Sequence, residues 1–160
     1  MNHLWAPWRL KFILSTTEKK NECVFCELPK QANDQQSLIL KRGEHCFVIL
    51  NKFPYNPGHL MVIPYCHTSR LDVLGDDALL EIHREIKNSI GALEASMKPS
   101  GFNVGMNLGE AGGAGIRDHL HYHVVPRWNG DSNFMPVLGD TKVIPENLED
   151  SFSRLKPYFF

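Results

Sequence analysis

The chain has 160 residues, of which 42% are hydrophobic, and its 17 basic and 18 acidic residues give a formal net charge of −1. This length suits one hydrophobic core, so we expect a single domain over residues 1–160. Without a large basic field, nucleic acid and anionic membranes are poor candidates for the main partner. No stretch reaches the roughly 18–20 apolar residues of a membrane helix, and residues 1–9 lack the apolar run of a signal peptide. We therefore expect a cytoplasmic protein that acts on a small molecule.

The predicted elements begin with two apolar runs, Cys46–Leu50 and His59–Pro64. The segment between them, Asn51–Gly58, is rich in asparagine, proline and glycine, which are typical of turns. Strands joined by so short a connection pair antiparallel. The sequence therefore predicts an antiparallel pair of strands here.

A long amphipathic helix is predicted over Asp76–Met97, where apolar residues recur at spacings of three and four. Two aspartates at its start suit the positive end of a helix dipole. The later predicted elements are, in chain order, a strand over Phe102–Leu108, a glycine-rich loop over Gly109–Gly115, a strand from about Leu120 to Pro126 and a short helix over roughly Glu146–Leu155. Strands without regular alternation with helices indicate an α+β domain built on an antiparallel sheet.

Three histidines, His119, His121 and His123, alternate with apolar residues in the last predicted strand. Alternate side chains of a strand face the same way, so this spacing predicts three imidazoles in a row on one face. Neighbouring imidazoles lower one another's pKa, so at least one should stay neutral near pH 7 and be able to attack phosphorus. Two other interpretations stay open at this point: polar residues on a solvent-facing strand, and a metal centre with all three histidines as ligands.

The glycine-rich loop Gly109–Gly115 comes directly before the histidines. Glycine permits close approach of a ligand to the backbone, so the N–H groups of this loop are candidates for holding phosphate oxygens. Most glycine-rich loops are only turns, and the position beside the histidines is what favours a functional interpretation.

Two of the four cysteines, Cys23 and Cys26, have the spacing that lets both thiolates reach one tetrahedral ion. In a reducing compartment this pattern indicates a metal or redox site sooner than a disulfide. The pair is half of a metal site, and a reduced pair without metal stays an alternative. Cys46 and Cys66 lie in apolar segments and are expected to be small buried hydrophobic residues.

The segment His119–Val125 resembles the histidine triad motif that names the HIT family, and the similarity extends to Asn51–Pro64 and Asn107–Gly112. Roughly residues 22–128 are covered. The resemblance implies a HIT-like α+β fold: an antiparallel sheet of about five strands, one long helix and a short C-terminal helix. It also implies an N-terminal extension of about residues 1–21 and a C-terminal tail of about residues 129–160. Motifs at residues 4–9 and 126–136 resemble the branch that includes bacterial diadenosine tetraphosphate phosphorylases.

The function implied by this resemblance is hydrolysis or transfer of a nucleotidyl group from a dinucleoside polyphosphate. His121 would be the nucleophile, forming a nucleotidyl-histidine on the α-phosphate. His123 would contact the phosphate or bridging oxygen and help protonate the leaving group. A glutamine and a serine that many relatives carry before the triad are missing, so backbone groups are expected to replace them. The implied substrate-binding residues are Asn51, Asn107, Gly113, Ala114, Gly115 and His123.

The resemblance also completes the metal site, because His67 and His119 join Cys23 and Cys26 in a closed set of four ligands. Zinc would be structural, would keep His119 neutral and would fix the segment that aims His121. The chemistry itself would need no cofactor. The family implies a homodimer with the two sheets joined. The alternatives are a purine nucleoside phosphoramidase and a non-catalytic nucleotide-binding or interaction module.

Overall fold

The computed structural model describes residues 22–131 and 146–160. The motif at residues 4–9, and residues 132–136 of the tail motif, lie outside the described residues. The helices are α1 (Val24–Glu27), α2 (Asp34–Ser37), α3 (Asp76–Met97) and α4 (Leu148–Leu155). The strands are β1 (Ile39–Arg42), β2 (Cys46–Leu50), β3 (Leu60–Pro64), β4 (Gly101–Met106) and β5 (Tyr122–Arg127).

The five strands form one antiparallel sheet in the order β1-β2-β3-β5-β4. The predicted pairing of β2 with β3 is confirmed, with Cys46 opposite Pro64 and Leu50 opposite Leu60. Strand β5 lies between β3 and β4, which leaves β4 at one edge of the sheet. The predicted α+β class and the five-stranded antiparallel sheet are therefore confirmed.

Helix α3 has the predicted bounds and packs on one face of the sheet. Its buried residues Ile82, Ile86 and Leu93 join the main core cluster together with residues of β2, β3 and β5. Burying each such side chain contributes about 1.5–3 kcal/mol, which offsets the conformational entropy lost in ordering the helix. The helix ends at Met97, and the C-cap residue Lys98 adopts a left-handed conformation with φ of 49°.

A second, smaller core cluster occupies the other face of the sheet. It contains Phe25 of α1, Phe47 and Ile49 of β2, and Met61 and Ile63 of β3. Strands β2 and β3 are thus buried on both faces, which explains why their sequences are almost continuously apolar. This second face carries the site described below.

Helix α4 lies within the predicted C-terminal helix, and the side chain of Asn147 caps it by accepting a hydrogen bond of 2.8 Å from the backbone N–H of Asp150. Phe152 and Leu155 are buried in the main core cluster. Just beyond the helix, the Lys156 ammonium donates to the Leu40 carbonyl over 2.7 Å. The described end of the tail is therefore built into the core.

Candidate functional site

Of the three histidines of the motif, His123 lies in β5, whereas His119 and His121 directly precede the strand, which begins two residues later than predicted, at Tyr122. Leu120, Tyr122 and Val124 all pack in the main core cluster. The rings of His119 and His121 instead contact Phe25 on the opposite face, at centroid distances of 5.6 and 5.1 Å. The predicted alternation of faces is confirmed. A solvent-facing strand is excluded, because His119 is 0% and His121 6% exposed.

The ring of His119 meets the two cysteines that the sequence singled out. Its Nδ1 lies 3.3 Å from Cys23 Sγ and 3.6 Å from Cys26 Sγ. His67 Nδ1 lies 3.4 Å from Cys26 Sγ and 3.2 Å from His119 Nδ1. All four ligand atoms lie within 4.8 Å of one another. The structure thus brings together, from three distant parts of the chain, the four residues predicted as metal ligands.

These four residues fit a tetrahedral zinc ion. Zn–S bonds of about 2.3 Å and Zn–N bonds of about 2.0–2.1 Å place ligand atoms roughly 3.3–3.8 Å apart, which is close to the distances observed. His119 Nε2 donates to the Pro64 carbonyl over 2.8 Å, because a carbonyl oxygen only accepts. The neutral ring therefore carries its lone pair on Nδ1, the atom that faces the cysteines. Burial lowers the pKa of His119, which also favours the neutral, metal-binding form.

His121 has a different environment from His119. Its Nδ1 donates to the carbonyl oxygen of His119 over 2.9 Å, so the neutral ring carries its proton on Nδ1 and its lone pair on Nε2. Burial lowers the pKa of His121 below the ordinary histidine value. The residue is therefore a neutral imidazole with a nucleophilic Nε2 at neutral pH.

His123 is held by His59, a fully buried histidine at the entry to β3. The backbone N–H of Tyr55 donates to His59 Nδ1 over 3.0 Å, so the proton of a neutral His59 is on Nε2. That Nε2–H lies 3.0 Å from His123 Nδ1 and donates to it. In a neutral His123 the remaining proton is then on Nε2. One backbone N–H thus sets the tautomers of two imidazoles in series.

The three histidines of the motif do not converge on one metal ion, because each ring has a different partner. His119 faces the cysteines, His121 a carbonyl oxygen and His123 the ring of His59. The three-histidine metal centre left open by the sequence is therefore wrong for this arrangement. The structure also brings His59 into direct contact with the motif.

A cleft of about 640 Å³, called the main cleft here, opens beside His121 and His123. Its lining is mainly apolar, and its size is typical of sites for nucleotide-sized ligands. The apolar lining residues include Val24, Phe25, Leu28, Ile49, Met61, Ile116 and Phe152. Of the predicted substrate-binding residues, the main cleft brings together Asn51, Asn107, Gly115 and His123. Helix α4 also lines it, through Leu148, Glu149 and Phe152.

Two predicted substrate-binding residues, Gly113 and Ala114, have their backbone N–H groups engaged within the glycine-rich loop. Gly113 donates to Glu110 over 2.9 Å and Ala114 donates to Gly109 over 3.2 Å. Neither residue lines the main cleft. Gly112 is required by close packing, because a Cβ there would lie 2.3 Å from the Leu108 carbonyl oxygen. The tight turn therefore brings Gly115, and not Gly113 or Ala114, to the cleft.

The amide of Asn51 is part of the turn that follows β2. Its Oδ1 accepts from the backbone N–H of Phe53 over 2.9 Å, and its Nδ2 lies 3.3 Å from His59 Nδ1. Asn51 thus orients the loop around the site and also faces the main cleft.

The two remaining cysteines differ in exposure. Cys46 is buried, as predicted, and burial raises the pKa of its thiol to about 12. The prediction for Cys66 is wrong, because this residue is exposed. It lies two residues beyond Pro64, the last residue of β3, where the chain has left the sheet. Among the described helices, none is long and apolar enough to cross a membrane.

Comparison with known proteins identifies the family of this chain. The model of the HIT domain matches residues 32–130, which is more than half of the sequence. The chain belongs to the HIT family. AP-4-A phosphorylase of Mycobacterium tuberculosis is 39% identical to this HIT protein over 158 residues, covering 94% of this chain and 80% of that protein.

Two further relatives bear on the site of this HIT protein. An adenosine 5'-monophosphoramidase of Schizosaccharomyces pombe is 28% identical over 138 residues, covering 84% of this chain and 98% of that protein. Among solved structures, a Zn-bound histidine triad family protein from Mycobacterium smegmatis matches with a TM-score of 0.67 and 27% identity. That match covers 86% of this chain and 92% of the other.

Proposed function

We propose that this HIT protein cleaves dinucleoside polyphosphates such as diadenosine tetraphosphate through a nucleotidyl-histidine intermediate on His121. The observation that carries the proposal is the environment of His121, a buried neutral imidazole that lines the main cleft with its proton held on Nδ1. The similarity to the phosphorylase of M. tuberculosis supports the substrate class.

In the first step, His121 Nε2 attacks the α-phosphorus and forms a P–N bond. The bond from phosphorus to the bridging oxygen breaks, and its electron pair stays on the departing polyphosphate. The His119 carbonyl, which accepts from His121 Nδ1–H, stabilises the positive charge that the ring gains. In the second step, an oxygen of water or hydrogen phosphate attacks the same phosphorus, and the electron pair of the P–N bond returns to His121. Attack by water releases one proton to the solvent, whereas attack by an unprotonated oxygen of hydrogen phosphate releases none.

His123 acts on the leaving group in this proposal. Its Nε2–H donates a hydrogen bond to the bridging oxygen, where negative charge collects as the bond breaks. His59 fixes this tautomer by donating to His123 Nδ1. One such donor contributes about 2.7–4 kcal/mol to stabilising a transition state.

The remaining contacts follow from the lining of the main cleft. The apolar residues around Phe25 and Ile49 would hold the base, and Asn51 the ribose. Asn107 and Gly115 would contact the phosphate that His121 attacks. Gly113 and Ala114 would give the glycine-rich loop its shape through their backbone hydrogen bonds.

The set Cys23, Cys26, His67 and His119 would hold a structural zinc ion. The mutual distances support this assignment, as does the zinc bound by the related protein of M. smegmatis. When bound, zinc would cross-link α1 to the segments before and after α3. His119, whose carbonyl orients His121, would then be held at both its ring and its backbone.

We further propose a homodimer formed through β4, whose central residues Asn103, Val104 and Gly105 are exposed at the edge of the sheet. Exposed edge strands pair readily with another strand. Light scattering during gel filtration would give twice the mass of one chain, and the mass of a single chain would contradict this assembly.

The test of the activity is incubation with diadenosine tetraphosphate, with and without inorganic phosphate, followed by identification of the products. ATP plus ADP that requires phosphate indicates a phosphorylase, whereas ATP plus AMP formed from water indicates a hydrolase. His121→Ala should abolish turnover, and denaturing mass spectrometry of the wild type during turnover should show a covalent adenylyl group. Turnover by His121→Ala would contradict the covalent mechanism.

The same assay separates the alternatives. Turnover of adenosine 5'-phosphoramidate but not of diadenosine tetraphosphate would favour the phosphoramidase, the activity named for the S. pombe relative. Nucleotide binding without any turnover would favour a non-catalytic binding module.

A further inference from the structure

A second cleft of about 350 Å³ adjoins the main cleft at His123. His123, Tyr55 and Asn107 line both clefts, whereas His121 lines only the main cleft. A group that leaves the phosphorus at His121 and passes His123 would therefore enter the second cleft.

The second cleft owes its space beside His123 to a glycine. Gly105 of β4 is paired directly with His123 of β5, and side chains of such pairs are neighbours. A Cβ at position 105 would meet no atom within 4 Å, so the space beside the backbone is open. The φ angle of Gly105 is not positive, so the backbone conformation does not require glycine at this position. Glycine within a strand often marks a place where a ligand approaches closely.

Arg127 provides a cationic group in the same cleft. Its guanidinium donates to both carboxylate oxygens of Asp131 over 2.6 and 2.8 Å, and to Asn103 Oδ1 over 2.7 Å. These bonds use three of the five N–H groups of the arginine. Within the part of the chain that the structure describes, no acceptor contacts the other two. Asp131 and Asn103 thus hold the guanidinium in place with N–H groups left for a ligand.

Resting on the proposed function, we infer that the second cleft is a phosphate subsite, which binds the phosphates of the departing polyphosphate and then the attacking inorganic phosphate. Displacement at phosphorus is in line, so the leaving oxygen departs opposite His121. The second attack must also come from opposite His121, because it breaks the P–N bond. An unprotonated oxygen of hydrogen phosphate forms the new P–O bond without releasing a proton. One cleft therefore serves both steps.

A matched pair of glycine variants tests the inference. Gly105→Val places a side chain in the second cleft beside His123, whereas Gly91→Val makes the same change at an exposed glycine of α3 outside both clefts. Neither new Cβ would meet an atom within 4 Å, so both variants should fold. We expect Gly105→Val to lower kcat/KM for diadenosine tetraphosphate by about tenfold or more. The AMP affinity of Gly105→Val, measured by calorimetry, and both kcat/KM and AMP affinity of Gly91→Val should stay within about twofold of the wild type.

A second pair tests the charge of the subsite. Asn103→Asp keeps the acceptor for Arg127 but adds a negative charge to the cleft, and Asn129→Asp makes the same change at an exposed residue outside both clefts. Asn103→Asp should lower kcat/KM by about tenfold and, if phosphate is the acceptor, raise its KM similarly. Light scattering and thermal melting of each variant identify any change in assembly or folding. If one test variant changes either property, the inference is judged from the other pair of variants.

The outcomes separate this inference from the proposed function. Wild-type protein that does not turn over diadenosine tetraphosphate contradicts both. Wild-type turnover that Gly105→Val and Asn103→Asp leave unchanged contradicts the phosphate subsite alone. A loss of AMP affinity equal to the loss of kcat/KM would also contradict the subsite, because the variants would then act on the main cleft.

Discussion

Replacement of His59 by phenylalanine tests whether this buried residue sets the protonation of the site. The ring volume is retained, but the hydrogen bonds of His59 with the backbone N–H of Tyr55 and with Nδ1 of His123 are lost. Each such partly buried hydrogen bond contributes about 0.5–1.5 kcal/mol, so His59→Phe should lower the free energy of unfolding by about 1–3 kcal/mol. Urea denaturation measures this loss.

The same variant should affect catalysis through His123. Without the proton from His59, His123 can carry its own proton on Nδ1, and Nε2 then no longer donates to the leaving oxygen. Loss of one such donor lowers kcat by about 100-fold or more. The KM for a dinucleoside polyphosphate should change little, because His59 does not line the main cleft.

The control is His83→Phe, which changes an exposed histidine on α3 whose ring nitrogen bonds the Leu79 carbonyl. A second readout is a substrate with a nitrophenolate leaving group, which departs without help and should be spared by His59→Phe. If His59→Phe slowed both substrates equally, or left kcat unchanged while the protein stayed folded, the tautomer argument would be refuted.

Three further predictions follow from the site and its surroundings. Purified protein should contain about one zinc per chain, and metal analysis showing far less zinc would contradict the site. Cys23→Ser should lower Tm by about 6–12 °C, which corresponds to about 3 kcal/mol, whereas the control Cys66→Ser should leave Tm unchanged. Burial lowers the pKa of His121, so on acidification the unfolded state binds a proton more readily than the folded state. The contribution of neutral His121 to stability is therefore complete above about pH 6.5 and is lost as the pH falls below that value. In urea denaturation, the free energy of unfolding of His121→Gln should fall less steeply with decreasing pH than that of the wild type, and parallel pH profiles would rule this out. Gly112→Ala should destabilise the protein by about 1–3 kcal/mol because its Cβ would clash with the Leu108 carbonyl. Gly91→Ala on α3, where the space is open, should stabilise it by about 0.5–1 kcal/mol. Equal melting temperatures of the two variants would show that the loop moves to accommodate the Cβ without cost.

The sequence predicted α3 residue by residue because 22 residues of regular apolar spacing leave little ambiguity. The sequence did not predict β1, because this strand has only four residues and its burial does not alternate. Two buried residues are followed by a half-buried one and an exposed one. The prediction for Cys66 failed for a related reason. An apolar run shows that a strand exists but does not show where the chain leaves the sheet.

The site was partly predictable from the alternation of its histidines, which needs only the geometry of an extended chain. The metal-binding set was different. The short spacing of Cys23 and Cys26 indicated that these two residues share a site. His67 lies 41 residues from Cys26, and His119 lies 96 residues from Cys23. Only the tertiary structure, or the family resemblance, could therefore assign these two histidines to the same site. The hydrogen bonds of Gly113 and Ala114 were also beyond prediction, because a glycine-rich sequence does not specify which N–H groups its turn consumes.

Phe152 of α4 lines the main cleft and is also buried in the main core, so ligand binding and the docking of the C-terminal helix share one side chain. A nucleotide held against Phe152 would be linked thermodynamically to the attachment of residues 148–155, because a ligand that binds only the docked form favours docking. Saturating AMP should therefore slow amide hydrogen exchange in α4 more than in β1, whose residues do not line the main cleft. The C-terminal helix would then report the occupancy of the site.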